Sequence, residues 1–376
     1  MVNQKRLVST FMSLVKVKSI PKRELAAGDL LRRMLSKMGL RSFYDNAGRA
    51  IGGDCGNLYA SVNPTDKKLP SVFLNAHIDT VEHKGSIRPV VRNGVIYSDG
   101  TTILGADCKA GVAAILEAVK VIKEKNIPHG GIKLCFTVAE EIGLEGAKEA
   151  VQKHIKADYG LVIDGGSVEQ VINRAPSQLS LEARITGKAA HAGVRPENGI
   201  NAIKVASEAI AKMKIGRIDK ETTANIGLIS GGTATNIVPE EVTLKGEARS
   251  HSRRKLKKQI NSMTRCLAKA CGRNRASLRL KVVPVYESFR VRESSALVKA
   301  ALSSVKNIGL RPELKKTGGG SDANIFNKMG IPCLILGVGG HSVHTSREYV
   351  AVKDMVKGTE LILAVIGEMN KGKINN

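Results

Sequence analysis

Between Ser71 and Asp164 the chain alternates short, largely apolar runs with segments that repeat apolar residues at helical spacing, and this alternation restricts the fold more than any other feature. SVFLNA (71–76) has the texture of a strand buried on both faces, and IKLCFTVA (132–139) and YGLVID (159–164) read as further apolar strands. AGVAAILEAVKVIKEK (110–125) places Val112, Ile115, Leu116, Val119 and Ile122 at helical intervals. Strands alternating with helices build an α/β fold, here a mostly parallel sheet with helices on both faces. Helices are also expected near 3–15, 22–38 and 143–155, with an early strand in GNLYASV (56–62). RPVVRNGVIYS (88–98) reads as a hairpin turned by Asn93-Gly94.

Near residue 175 the pattern changes. SLEARITGK, a helix near 199–214, ANIGLISG, EVTLKGEARS, a basic helix and SLRLKVVPVY follow in the β-α-β-β-α-β order of a ferredoxin-like α+β unit. After about residue 290 the first texture returns, with a helix near 294–307, the glycine loop TGGGSDA, the strand CLILGV and a last helix near 352–370. The expected organisation is a discontinuous α/β domain, 1–175 and 290–376, with a lid domain, 176–289, inserted between its halves. A chain of 376 residues suits two such domains.

Lys and Arg number 59 against 34 acids, a formal charge of +25 that draws anions but does not bear on fold. Residues 253–275 carry nine basic side chains and no acid, yet Leu256, Ile260, Met263 and Leu267 share one helical face. That is the pattern of an amphipathic helix with a solvated charged side. Aromatic residues make up 3% and Trp is absent, which weighs against a nucleic-acid partner bound by base stacking. Six cysteines without a C-x-x-C spacing indicate a reduced, cytoplasmic setting. No run approaches the roughly 20 apolar residues of a membrane span.

Three of the buried strands lead into groups able to bind a metal: His77 in AHIDT, Glu140-Glu141 after IKLCFTVA, and Asp164 closing YGLVID. Each taken singly has an ordinary explanation as a turn or solvated loop residue. Asp107, in LGADCKAG, could equally cap a helix. Together they are nitrogen and carboxylate donors of the kind zinc prefers, and in a parallel sheet the strand ends converge on one rim. His344, after the last strand, offers a second imidazole. The donor count suits two ions about 3.5–4 Å apart with one carboxylate bridging them.

AHIDT, SDGTTILGADCKAG, TVAEEIGLEGAK, LVIDGG, GKAAHAG, GGTATNIVPE, GGGSDANIF and HSVHTSREYV, in this order along nearly the whole chain, resemble the tripeptidase T branch of the di-zinc metallopeptidase superfamily. The resemblance implies two divalent ions per chain, zinc with cobalt or manganese as alternatives. It places His77 and Asp164 on one ion, Glu141 and His344 on the other, and Asp107 between them. Asp79 would accept from the His77 ring, and Glu140 would be the general base taking a proton from the attacking water. In the lid, His191 would be an oxyanion donor, while Asn236 and Arg249 would hold the substrate's polar groups. The implied activity is hydrolysis of short peptides, tripeptides foremost, by an aminopeptidase; the alternatives are an amidohydrolase, deacylase or carboxypeptidase acting on N-acyl amino acids or dipeptides and, more remotely, a non-catalytic basic relative that binds nucleic acid. A homodimer formed through the lid is implied as well. The sequence departs from many relatives at Cys108, where they carry a second acid.

Overall fold

The computed structural model of the chain describes residues 1–374. It divides into two compact units, the first made of Met1–Arg174, Phe289–Thr317 and the chain from Ser321 onward, the second of Ala175–Ser288 with Gly318–Gly320.

The first unit is built on a nine-stranded sheet whose middle is parallel. Val72–His77 lies between Ile132–Thr137 and Tyr159–Gly165, parallel to both, and Cys333–Gly337 continues the parallel run beyond Tyr159–Gly165. Every residue of Val72–His77 is buried. Removing each large apolar side chain of such a strand from water contributes about 1.5–3 kcal/mol. The flanks depart from the parallel pattern. Leu58–Val62 runs antiparallel to Ile132–Thr137, and Gln170–Ala175 antiparallel to Cys333–Gly337. Apolar periodicity reports that a strand is buried and is blind to its direction.

Helix Ala106–Lys125 packs on the strands Val72–His77 and Tyr159–Gly165. Gly111 makes the approach possible, because a Cβ there would stand 2.1 Å from the Ile163 carbonyl oxygen. The helix begins earlier than the apolar repeat predicts, and its first turn is broken at Asp107 and Cys108, which have non-helical backbone angles and share a cis peptide bond. The segment expected as one helix near 143–155 is two short ones, Glu145–Lys148 and Gln152–Ile155. The hairpin Val90–Arg92 and Val95–Tyr97 turns on Asn93 (φ 49°) and Gly94 (φ 75°), the two positive angles a tight two-residue turn requires. It belongs to a separate four-stranded sheet, where Val95–Tyr97 pairs with Tyr349–Ala351.

The second unit is an antiparallel sheet with the spatial order Thr222–Gly231, Glu241–Ser250, Ser177–Thr186, Ser277–Tyr286, the ferredoxin-like arrangement. A short fifth strand, Gly216–Asp219, adds to the Thr222–Gly231 edge and was not foreseen. Helices Ala202–Ala211 and Arg253–Arg273 share its core, where Leu256, Ile260, Met263 and Leu267 meet Leu181, Ile185, Val242 and Leu244.

Candidate active site

Parallel pairing brings the ends of three neighbouring strands to one rim. His77 closes the central strand, Glu140 and Glu141 follow Thr137 on one side, and Asp164 ends the strand on the other. His77 is buried, with Nδ1 3.0 Å from the Asp79 carbonyl oxygen and 3.4 Å from its carboxylate. The backbone oxygen is therefore the nearer partner of the ring, where sequence reasoning expected the carboxylate. The Asp79 carboxylate instead accepts from the backbone N–H groups of Glu140 and Glu141, each at 3.1 Å. One buried side chain thus ties the His77 loop to the Glu140-Glu141 turn. Ala139, just before that turn, and His344 both adopt left-handed backbone conformations (φ 53° and 65°), an uncommon choice for residues with a Cβ.

Two donor sets meet at Asp107. His77 Nε2 lies 3.2 Å from Asp107 Oδ1 and 3.6 Å from Asp164 Oδ1. His344 Nε2 lies 3.3 Å from Asp107 Oδ2 and 3.0 Å from Glu141 Oε1. Ligands of a tetrahedral zinc with bonds of about 2.0–2.1 Å stand roughly 3.4 Å from one another. Both sets have that spacing, and each takes a different oxygen of the same carboxylate. The donor chemistry fits a pair of divalent cations bridged by Asp107. Cys108 Sγ gathers with the first set, but it donates to the Ile163 carbonyl at 2.6 Å, and burial pushes its thiol well up. Its sulfur is thereby turned toward a backbone carbonyl.

The electrostatics have the same origin. Burial alone would lower the His77 imidazole, yet Asp107, Asp164 and Asp79 raise it well above its ordinary value. Hydrogen bonds to Asp107 and Glu141 push His344 up to about 10. Asp107 is disfavoured as an anion by burial, and the two imidazoles overcome this and hold it low. Burial raises Glu140, with Asp164, Asp322 and Asp79 adding to the effect against the pull of His77. Without metal, protons on the imidazoles supply the positive charge these carboxylates need.

Several supporting residues escaped the sequence reading. Glu348, almost wholly buried, accepts from Leu104 and Gly105 N–H at 2.8 Å and from Asp107 N–H at 3.1 Å, so the segment after His344 holds the loop that carries Asp107. Asp322 accepts from the Thr137 hydroxyl, keeps its other oxygen unpartnered, and is pushed by burial up to about 7. Lys109 is buried with its ammonium on the Val17 carbonyl at 2.7 Å. A further group, Glu24, Asp54 and Cys55, also gathers potential donors. Glu348 and Asp322 sit inside the motifs HSVHTSREYV and GGGSDANIF, the only sequence signal they offer.

The three residues expected in the lid lie in the second unit. His191 is exposed and pairs through the backbone with Ile237; Asn236 accepts from the Ala192 N–H at 2.9 Å, so these two are brought into adjoining loops. Arg249 is on the strand Glu241–Ser250, apart from those loops, and grips Glu247 with two hydrogen bonds of 2.8 and 3.0 Å.

Known proteins extend the picture. Residues 73–368 match peptidase family M20/M25/M40. Uncharacterized protein YqjE of Bacillus subtilis is 42% identical over 99% of this chain and 100% of its own length. A tripeptidase from Staphylococcus aureus superposes with a TM-score of 0.92 at 40% identity, covering 99% of this chain and 100% of that one. The aminopeptidase PepT from Bacillus cereus does so with a TM-score of 0.86 at 41% identity, covering 98% and 99%. On the strength of that match along most of its length, the chain belongs to peptidase family M20/M25/M40.

Proposed function

We propose that this peptidase is a di-metal aminopeptidase that releases the N-terminal residue of short peptides, tripeptides foremost. The observation that carries the reading is Asp107, whose two oxygens face two separate imidazole–carboxylate sets. The choice of substrate is supported by the tripeptidase and PepT aminopeptidase at 40% and 41% identity. His77, Asp164 and Asp107 would hold one ion, and His344, Glu141 and Asp107 the other, with zinc best matched to these donors and cobalt or manganese also accepted. The ions would supply Lewis acidity and lower the proton affinity of water.

Glu140 acts as general base. Burial and the neighbouring carboxylates raise its proton affinity, so it can take a proton from the attacking water and return it to the leaving amine. Asp79 positions both the His77 ring and the Glu140-Glu141 backbone. In the second unit, His191 stabilises the oxyanion, and Asn236 and Arg249 bind the substrate's polar groups. The second unit also pairs two chains: Ser277–Tyr286 is an edge strand with Leu280, Val282 and Val283 exposed, the kind of edge that invites pairing. Six unpaired cysteines support a cytoplasmic setting, and among the described residues no helix is long and apolar enough to cross a membrane.

The test combines metal analysis with turnover on tripeptides, dipeptides and N-acyl amino acids, and with molar mass in solution. Glu140→Ala is expected to keep both ions and lose roughly 100- to 10,000-fold in kcat. Glu141→Ala should lose one ion. Near-normal turnover of Glu140→Ala overturns the division of labour, preference for N-acyl amino acids overturns the aminopeptidase, and a monomer overturns the pairing.

A further inference from the structure

The connector between the first two helices, Gln4–Val15 and Leu25–Lys37, lies before the span that matches the family, yet it touches three of the segments that carry site residues. The Ser19 hydroxyl donates to the Ile78 carbonyl at 2.7 Å, and the Ser19 carbonyl accepts from Thr80 N–H at 2.9 Å, so Ser19 clasps both neighbours of Asp79. The Val17 carbonyl takes the buried Lys109 ammonium, two residues after Asp107. Glu24, fully buried, accepts the Ala139 N–H at 2.9 Å through Oε1. Its own backbone is pinned in turn, since Asp54 Oδ1 accepts from the N–H groups of Glu24 and Leu25 at 2.9 and 3.0 Å. Asp54 is thereby engaged at the start of a helix, which accounts for its place beside Glu24 and Cys55.

Ala139 is the informative contact. Its positive φ is unfavourable for a residue with a Cβ, and the chain turns there to present Glu140 and Glu141. An unpaired buried N–H at this point would carry the full cost of its lost hydration, which favours relaxation of the turn toward an ordinary conformation. We infer that Glu24 is a positioning residue for catalysis: its carboxylate holds Ala139 in the left-handed conformation that aims the Glu140 carboxylate into the site. This rests on Glu140 being the general base. Glu140 and Glu141 share the Asp79 carboxylate through their backbone N–H groups, but the Glu141 side chain has a further anchor in His344, so the loss of Glu24 falls on the base more than on the metals.

The experiment compares Glu24→Ala, Glu24→Asp, Glu24→Gln and the double variant Glu24→Ala/Ala139→Gly on a tripeptide, with metal content measured for each. Glu24→Ala is expected to lower kcat about 10- to 100-fold, a part of the full effect of losing a general base, with KM within about twofold and two ions retained. Glu24→Asp keeps the carboxyl group but is one methylene too short, so it should share the loss, and it serves the comparison if the alanine variant does not fold. Glu24→Gln keeps an acceptor of the same reach and should restore most of kcat. Glycine at 139 adopts a positive φ at no steric cost, so the double variant should recover part of it. Wild-type kcat in Glu24→Ala or Glu24→Asp, no rescue by Gln, or loss of an ion overturns the assignment. Glu140→Ala is measured alongside: if it is inactive while Glu24→Ala is unimpaired, only the role of Glu24 fails, whereas an active Glu140→Ala removes the base assignment itself.

Discussion

At the scale of single residues, the site is a dense set of buried charges, and Lys109 is the member whose behaviour is easiest to isolate. Burial pushes its ammonium down to about 7, against the opposing pull of Asp79 and Glu348. Its amine donates to the Val17 carbonyl, an incomplete replacement for a full hydration shell. The consequence for stability has a definite sign. Between pH 7 and the ordinary lysine value near 10.5, the unfolded chain binds a proton that the native chain does not. Native stability from this group therefore rises with pH across that window and is lost as pH falls through about 7. Lys109→Met removes the titration. The stability difference between wild type and Lys109→Met, in the same metal state, should shift toward wild type by up to about 1.4 kcal/mol per pH unit between pH 7 and 10. Denaturant unfolding of both proteins at pH 7 and 9.5 measures it, and parallel pH profiles would show that the amine stays charged in the fold.

At the scale of elements, the site is a property of strand ends and of how closely one helix approaches them. Ala106–Lys125 carries Asp107 in its broken first turn and lies against the strand that ends in Asp164. Gly111 sits at the contact, where an added Cβ would meet Ile163 O at 2.1 Å and Cys108 Sγ at 2.7 Å. Alanine is better than glycine in a helix interior by about 1 kcal/mol, so propensity predicts that Gly111→Ala stabilises. Overpacking against a backbone carbonyl opposes this and costs typically about 1–3 kcal/mol, and it can be relieved only by moving the helix away. We expect Gly111→Ala to lower the melting temperature and, on the proposed ligand assignment, to weaken divalent-ion binding by His77, Asp107 and Asp164 by widening the gap between those carboxylates. A higher melting temperature with unchanged zinc titration would sink this account. The same elements show what was legible in the sequence. Apolar runs ending in His77, Glu140-Glu141 and Asp164 were readable because burial on both faces leaves an unbroken hydrophobic signature. The antiparallel direction of Leu58–Val62 was not, since direction leaves no mark on periodicity. Glu24, Lys109, Asp322 and Glu348 were missed because their partners lie between 92 and 244 positions away. Only the folded chain brings such groups together.

For the whole molecule, the donor sets make metal, protons and folding a single equilibrium. In the metal-free protein the carboxylates of Asp107, Glu141 and Asp164 are compensated by protons on His77 and His344, whose affinities for them are raised by those same carboxylates. A group whose native pKa is raised contributes stability that is complete below its unfolded value and is lost as pH rises through the native one. For His344 that window runs from the ordinary value of 6.5 to about 10, and His77 is shifted in the same direction. From these two imidazoles the metal-free peptidase should therefore lose stability as pH climbs from 6.5, its carboxylates left without a counter-charge, opposite in sign to the contribution of Lys109. With ions bound, the imidazoles would be held as neutral ligands and the cations would supply the charge as pH rises above 6.5, so this loss would disappear. Binding to the folded state alone adds stability by mass action, and deprotonated ligands bind more tightly as pH rises. Both effects act in one direction: the difference in melting temperature between zinc-loaded and chelated protein should be larger at pH 8.5 than at pH 6.5. Groups remote from the site, and Lys109 to first order, titrate in both forms and cancel from the difference. Thermal unfolding at the two pH values, with zinc buffered at a fixed free concentration in one arm and exhaustive chelation in the other, decides the matter. A gap that is constant or that narrows with pH would mean that protons on His77 and His344 do not stand in for the metals, and that the metal-free site relieves its carboxylate repulsion in another way.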